Sequence, residues 1–346
     1  MSGCTTRLRK IRGNALANNP AKLSAYKSRT AKDKLSDFSG LCFSSFAKTS
    51  GDTMAWTDIA RQRYCRAGLR YASALTNAEW ALIEPFMPLP PHRGRPRTVA
   101  LRRIVEAIFY MLATGCQWRR RLKVPPAEQV ECRRRWQIPK EFAPFTTVLG
   151  YFYRFCRDGT LDRINHVLVM QAREMARRQA SPTAGVIDSQ SVKTTEAGGP
   201  RGFDAGKKIK GRKRHIITDT IGHHVGAVVH HAGIQDRDGA PDVLRSVKSL
   251  YPWLRHVFAD GGYAGPKLKG RLTKIGKWTI QIVKRSDAAS GFVLLPRRWV
   301  IERTFAWLSR CRRLAKDFEA TVTSATAWLF LVVWQHGYNT GGRTRN

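Results

Sequence analysis

The sequence predicts an α/β protein in two parts, a helical N-terminal part and a mixed-sheet C-terminal part. Three observations predict it. Between about residues 75 and 180, apolar residues recur at helical spacing, as in Leu101, Ile104, Val105, Ile108 and Leu112. From Gly185 onward the period changes to short runs rich in Ile and Val, separated by turns. Those runs then alternate with amphipathic segments, the order expected of strands joined by crossover helices.

Residues 1–53 show no sustained period and are rich in Lys, Ser, Ala and Thr, so a disordered extension is expected there. Met54 opens a stretch with aromatics and is taken as the start of a helical domain, 54–180. Its first firm helix begins at Thr76, which can cap it with Glu79 three residues on, while Leu75 can staple onto Trp80. Pro85 and Pro88 end that helix. A loop with the sequence PLPPHRGRPR follows, then a helix over about 99–113 stopped by Gly115. Amphipathic segments over 147–156 and from Leu161 to about Gln179 complete the domain. Helices of this length joined by short turns predict a helix-turn-helix-like DNA-binding domain.

In the second domain, 181–340, a short apolar run ends at Asp188. Two strands, 214–218 and 225–231, form a hairpin around Asp219-Thr220-Ile221-Gly222. Helix 240–250, strand 256–259, helix 265–275, strand 279–283 and helices 297–316 and 323–335 close the chain, leaving a tail at 341–346. Three strands, then helix, strand, helix, strand and a final helix suit a mixed sheet with helices on its faces, the arrangement of the ribonuclease H-like fold.

The charge balance narrows the partners. The 346 residues carry 61 Lys and Arg against 25 Asp and Glu, a net charge of +36, and the excess runs along the whole chain. An extended polyanion such as nucleic acid fits better than a small acidic ligand or a membrane surface. The seven cysteines are scattered without a CxxC pair, which predicts free thiols in a reducing compartment. The longest strongly apolar run, 327–334, falls short of the roughly 20 residues that span a bilayer. A soluble cytoplasmic protein is expected.

Against that basic background three acids stand out: Asp188 in GVIDSQSVK, Asp260 in HVFADGGYAG and Glu302 in RRWVIERTFAWL. The first two follow predicted strands, where ligand sites of open α/β sheets form. Gly261 and Gly262 leave room beside Asp260. Glu302 lies on a helix that Val300, Ile301, Phe305 and Leu308 would dock on the sheet. Taken singly, each acid has an ordinary reading: a turn cap for Asp188, a turn aspartate for Asp260, an ion pair with Arg298 for Glu302. Taken together they offer hard oxygen ligands for Mg²⁺, with Mn²⁺ as a substitute, and thus metal-assisted phosphodiester chemistry. Asp204, Asp219, Asp236 and Asp238 read as turn or supporting residues. The pairs His223-His224 and His230-His231 read as alternating strand residues, not as a zinc site.

The second half resembles the DDE transposases of bacterial insertion sequences, specifically the insertion sequence five family. The resemblance rests on GVIDSQSVKTTEAGGPRGFDAGKKIKGRKRHIITDT, QDRDGAP, HVFADGGYAGPKL, VKRSD and PRRWVIERTFAWLSRCRRLAKDFE, and in the first half on RYASALTNAEWALIEPFMP, GRPRT and GCQWR. It implies that Asp188, Asp260 and Glu302 are the catalytic and metal-binding triad. It further implies double-stranded DNA partners, the element's ends and a target, a homo-oligomer on DNA, and a place at the bacterial nucleoid.

Basic residues then acquire expected roles in DNA binding. Lys193, Lys207, Lys208, Lys210, Arg212, Lys213 and Arg214 form a glycine-flanked basic run suited to phosphates. Arg93, Arg95 and Arg97 have the shape of a minor-groove arm. Arg298 matches the arginine of the family signature. A tyrosine and a lysine of the related signature are absent, with Leu295 and Ser309 in their places and Arg310 or Arg313 as candidate replacements for the lysine. The segment 119–136 is an insertion relative to the family, expected as loop. The function expected is Mg-dependent cleavage and strand transfer at terminal inverted repeats. The alternatives are a decayed copy acting as a DNA-binding repressor and a ribonuclease H-like nuclease.

Overall fold

The computed structural model describes residues 68–90, 96–118, 138–283 and 297–340, all within one unit spanning Ala60–Asn346. The expected 1–53 extension, Met54, Arg93, Arg95, the 119–136 insertion, Leu295 and the 341–346 tail lie outside the described residues.

Helix α1 (Asn77–Ile83) starts as its sequence dictates. Thr76 Oγ1 accepts from the Glu79 amide at 3.2 Å, and the Glu79 carboxylate accepts from the Thr76 amide at 2.8 Å. Helix α2 (Leu101–Thr114) ends at Gly115, which takes the left-handed conformation at φ 69°. Helices α3 (Phe145–Arg157) and α4 (Thr160–Met175) follow.

The sheet is built around β3 (Ile209–Asp219). On one side β3 pairs antiparallel with β1 (Ala184–Lys193), with Asp188 opposite Ile216. On the other side it pairs antiparallel with β4 (His224–His231) and with the short β2 (Gly202–Asp204). Beyond β1 lie β5 (His256–Ala259) and β6 (Thr279–Ile282), both parallel. Parallel neighbours need crossovers, supplied by α5 (Asp236–Val247) and α6 (Pro266–Ile275). The chain closes with α7 (Arg298–Arg310) and α8 (Val322–Thr340). No helix among the described residues is long and apolar enough to cross a membrane.

Both faces of the sheet are covered. Ile187, Ile217, Val225 and Val257 pack on Val243, Leu244 and Val247 of α5 and Leu268 and Leu272 of α6. Ile216, Ala227 and Val229 share the opposite core with Leu308 of α7 and Trp328, Leu329 and Leu331 of α8. The N-terminal helices join that same core through Ile104, Ile108, Phe152 and Phe155. Their apolar stripes are therefore spent on packing against one another and against α8.

Four elements differ from expectation. Strand β1 does not stop at Asp188 but continues to Lys193, because the hydroxyls of Ser189 and Ser191 find buried carboxylates while their backbones pair with β3. Strand β3 begins at Ile209, inside the basic run, for a related reason given below. Helix α5 begins four residues before Ala240, with Asp236 and Asp238 in its first turn, where acids complement the helix dipole. Helix α7 also ends early, at Arg310, since Cys311 is extended and a separate 3₁₀ turn carries Arg312–Leu314.

Candidate active site

Asp188 stands in the middle of β1 as paired with β3, yet just past the last residue that β1 pairs with β5. The parallel register matches Val186 with Phe258, an offset of 72 residues, and Asp260 follows Asp188 by that same offset. The crevice where β1 and β5 separate therefore receives both carboxylates. Asp188 is half-buried, and its Oδ1 accepts from the Ser189 amide at 2.7 Å. Burial pushes its pKa up to about 6 against the pull of that amide; the charge of Asp260 adds to the rise, and Lys207 and Arg298 oppose it. Asp260 caps the 3₁₀ turn Gly261–Tyr263, accepting from the Gly262 amide at 2.9 Å. Tyr263 beneath them is fully buried, and burial together with the charges of Asp188, Asp236 and Asp260 holds its hydroxyl protonated.

Glu302 lies on α7, which packs against β1 and buries its own Val300, Ile301, Thr304 and Leu308. Its carboxylate is 55% exposed and sits 3.5 Å from Arg298, one turn earlier. Arg298 acts on Asp188 as well, so the arginine lies within electrostatic reach of both acids. Asp188 and Asp260 are thus brought together, and Glu302 stands off beside Arg298. Among the described residues no three His, Cys, Asp or Glu side chains come close enough to hold a metal ion. Asp188 and Asp260 nonetheless suit a hard divalent cation: both are oxygen donors, and the burial and mutual repulsion that raise Asp188 are what a cation would relieve.

The basic run divides in two. Lys193, Lys208 and Lys210 are exposed. Lys207 lies in the tight β2–β3 turn, and its ammonium reaches back to the Ser189 carbonyl at 2.9 Å. Arg212, Lys213 and Arg214 correct the expectation of phosphate contact, because all three are buried strand residues already engaged. Arg212 pairs with Asp317 at 3.1 Å and donates to the carbonyls of Pro200 and Ala320. Lys213 lies 2.9 Å from Asp236 and 3.2 Å from Asp204. Arg214 donates to the Leu314 carbonyl at 2.9 Å. These buried partners let a highly cationic segment be a central strand. Arg97 is half-buried and donates to the Pro88 carbonyl at 3.4 Å. Arg313 is buried against Glu319 and stacks over Trp328, which removes it as a replacement for the missing lysine, while Arg310 is exposed.

Asp236 is the residue whose place the sequence understates. Its Oδ1 accepts from Ser189 Oγ at 2.7 Å and from Lys213, and although burial alone would raise its pKa, those hydrogen bonds hold it below the usual range. Asp204 accepts from Ser191 Oγ at 2.5 Å and from the Lys207 amide. The alternation of hydroxyls at Ser189 and Ser191 after Asp188 is the sequence signal for this buried network. Asp219 is a turn residue, accepting from the amides of Ile221, Gly222 and His223 and from Arg173. Asp238 pairs with Lys267 and Arg271 on the surface. His224 is buried against Phe330, and His230 lies 3.3 Å from Asp242.

Comparison with known proteins finds two family models and a curated relative. The family model described as "Transposase DDE domain" matches residues 179–334, from just before β1 into α8, and so contains all three acids. A second, described as "Putative transposase of IS4/5 family", matches residues 75–165. Over these two segments the chain is similar to transposases of insertion sequences. It is similar to a Burkholderia cepacia protein titled "Putative transposase for insertion sequence element IS402", 34% identical over 130 residues. That stretch is 35% of this chain and spans 60% of the relative's length.

Proposed function

We propose that this protein is an active DNA transposase that binds the terminal inverted repeats of an insertion sequence, cleaves the strand at each end and joins the freed 3′-hydroxyl to target DNA. The observation that carries the reading is the common register of Asp188 and Asp260 at the β1–β5 crevice, inside the matched transposase domain. Asp188 and Asp260 would hold Mg²⁺, and Glu302 would join them through movement of its exposed side chain away from Arg298. A bound divalent ion supplies Lewis-acid stabilisation of the attacking and leaving oxygens of an in-line displacement. The chain's own residues do the rest. The strand amide of Ser189 and the turn amide of Gly262 fix the two carboxylates, Tyr263 closes the floor of the crevice, and Lys207 and Arg298 offer cations to the phosphates flanking the reacting one.

The net charge of +36 and the exposed lysines of the β2–β3 turn support DNA as the partner. We further propose that the ribonuclease H-like order of the sheet is the catalytic scaffold, that the helices before it read the element's ends, and that two copies act together on two ends in the cytoplasm. The test is incubation of the full chain with labelled DNA bearing the inverted repeats that flank its reading frame, with Mg²⁺, beside Asp188→Asn and Asp260→Asn. Nicking and joining by the wild type alone supports the reading. Binding of the ends with neither reaction would leave a DNA-binding repressor, and cleavage that persists in both variants would remove the assignment of the acids.

A further inference from the structure

Beneath the strand that carries Asp188 lies a closed polar network. Ser189 and Ser191 point to the face of β1 opposite Asp188, since successive strand residues alternate. Ser189 Oγ donates to Asp236 Oδ1 at 2.7 Å, and Ser191 Oγ donates to Asp204 Oδ2 at 2.5 Å. The Lys213 ammonium, 6% exposed, lies between the two carboxylates at 2.9 and 3.2 Å. Asp236 is bound on one oxygen only by these groups. Its other oxygen, Oδ2, faces Gly262: a methyl group there would lie 3.4 Å from Asp236 Oδ2 and 3.1 Å from Asp260 Oδ1. Asp236 Oδ2 and Asp260 Oδ1 thus flank the same glycine, which sets a third carboxylate beside the Asp260 turn. The same Asp236 grips Ser189, whose amide holds Asp188. One side chain is thus coupled to both acids of the crevice, through one residue in each case.

We infer that Asp236, held by Lys213, is a positioning residue that sets the Asp188 and Asp260 carboxylates for a divalent cation and adds its negative charge behind them. The inference rests on the proposed metal role of that pair and deepens it. Carboxylates next to metal ligands orient them and sharpen affinity, and their loss typically weakens binding by about 10- to 100-fold. Asp236→Asn keeps an acceptor for Ser189 while removing the charge and the strong bond to Lys213. Ser189→Ala removes only the hydroxyl that links Asp236 to β1.

The experiment is titration of the full chain with Mn²⁺ alone, without DNA, by calorimetry, for wild type, Asp236→Asn, Ser189→Ala and Asp188→Asn, with thermal melts of each in chelator. Asp236→Asn is expected to weaken Mn²⁺ binding about 10-fold in a chain that still melts cooperatively in chelator, at a lower temperature because Lys213 keeps only Asp204, and Ser189→Ala to weaken it by a smaller factor. Wild-type affinity in Asp236→Asn overturns the inference. Should that variant fail to fold, wild-type affinity in Ser189→Ala overturns it instead. If Asp188→Asn also binds Mn²⁺ as wild type does, the underlying metal assignment fails, an outcome distinct from the failure of Asp236 alone.

Discussion

Asp188, within β1, and Asp260, one residue past the end of β5, stand at equivalent places along neighbouring parallel strands, each two residues past the matched pair Val186 and Phe258. Parallel pairing makes that equivalence rigid, since a slip of one residue would turn every side chain of β5 to the other face. The pair is also costly to the fold without a cation, as the burial and repulsion acting on Asp188 show. Replacement by Asn removes the buried charge. Asp188→Asn is expected to raise the melting temperature in chelator, by an amount corresponding to about 1–2 kcal/mol. Added Mg²⁺ should stabilise the wild type more than the variant, as binding to the native state requires. Equal stability of the two in chelator, measured by denaturant melts, would show that the carboxylate carries no penalty.

The division of the basic run into exposed and buried cations predicts two different phenotypes. Lys207 is free to leave the Ser189 carbonyl for a phosphate, whereas Arg214 is tied to the carbonyl of Leu314. Lys207→Ala should weaken binding to the element's ends and lower the slope of log K against log salt by about 1, with the melting temperature unchanged. Arg214→Ala should instead lower the melting temperature. Salt-dependent binding by anisotropy, read beside melts, separates the two. A lower salt slope in Arg214→Ala with full stability would contradict the burial of that guanidinium.

Arg212 and Asp317 form a fully buried ion pair that ties β3 to the segment linking α7 to α8. The guanidinium also satisfies the carbonyls of Pro200 and Ala320, so its removal strands a carboxylate and two acceptors at once. Arg212→Ala is expected to cost about 3–5 kcal/mol, the range for breaking a buried pair on one side. Asp317→Asn should cost less, because Asn keeps an acceptor for Arg212 and for the Glu319 amide. Urea unfolding of the two variants orders them, and a smaller loss in Arg212→Ala than in Asp317→Asn would reverse the assignment of the arginine as the hub.

Much of this architecture is legible in the sequence where local chemistry decides it. The Thr76–Glu79 box, the Gly115 stop, the Asp219–Gly222 hairpin turn and strand 256–259 all form where their residues place them. The proximity of Asp188 to Asp260 was legible from two strand ends and a resemblance. What local pattern could not show is compensation at a distance. The cationic stretch from Lys210 to Lys213 reads as a phosphate-binding run ahead of the strand until Asp204, Asp236 and Asp317 arrive from elsewhere in the chain to neutralise it. The hydroxyls after Asp188 likewise read as the end of a strand, and only their buried carboxylate partners keep β1 going. Tertiary hydrogen bonds and ion pairs, not propensity, set both boundaries, and the same contacts bring Asp236 to the crevice.

Two histidines give the fold an acid limit. His224 and His215 are both buried, and burial lowers their pKa to about 4 and about 3, with the charge of His230 adding to the effect on His215. His224 lies with its ring edge-on to Phe330 of α8, and His215 against His230 at 5.1 Å between centroids. Both are therefore neutral in the folded state. A histidine whose folded pKa lies below its unfolded value near 6.5 adds no penalty above that value, and stability is lost as pH falls from about 6.5 towards 4, because the unfolded chain binds the proton first. Urea unfolding at pH 7.5 and pH 5 should show a clear loss at the lower pH in the wild type. The loss should shrink in His224→Leu, whose apolar side chain can still pack on Phe330 and no longer takes up a proton on unfolding. An unchanged loss in that variant would place the acid sensitivity elsewhere, with His215 as the next residue to replace.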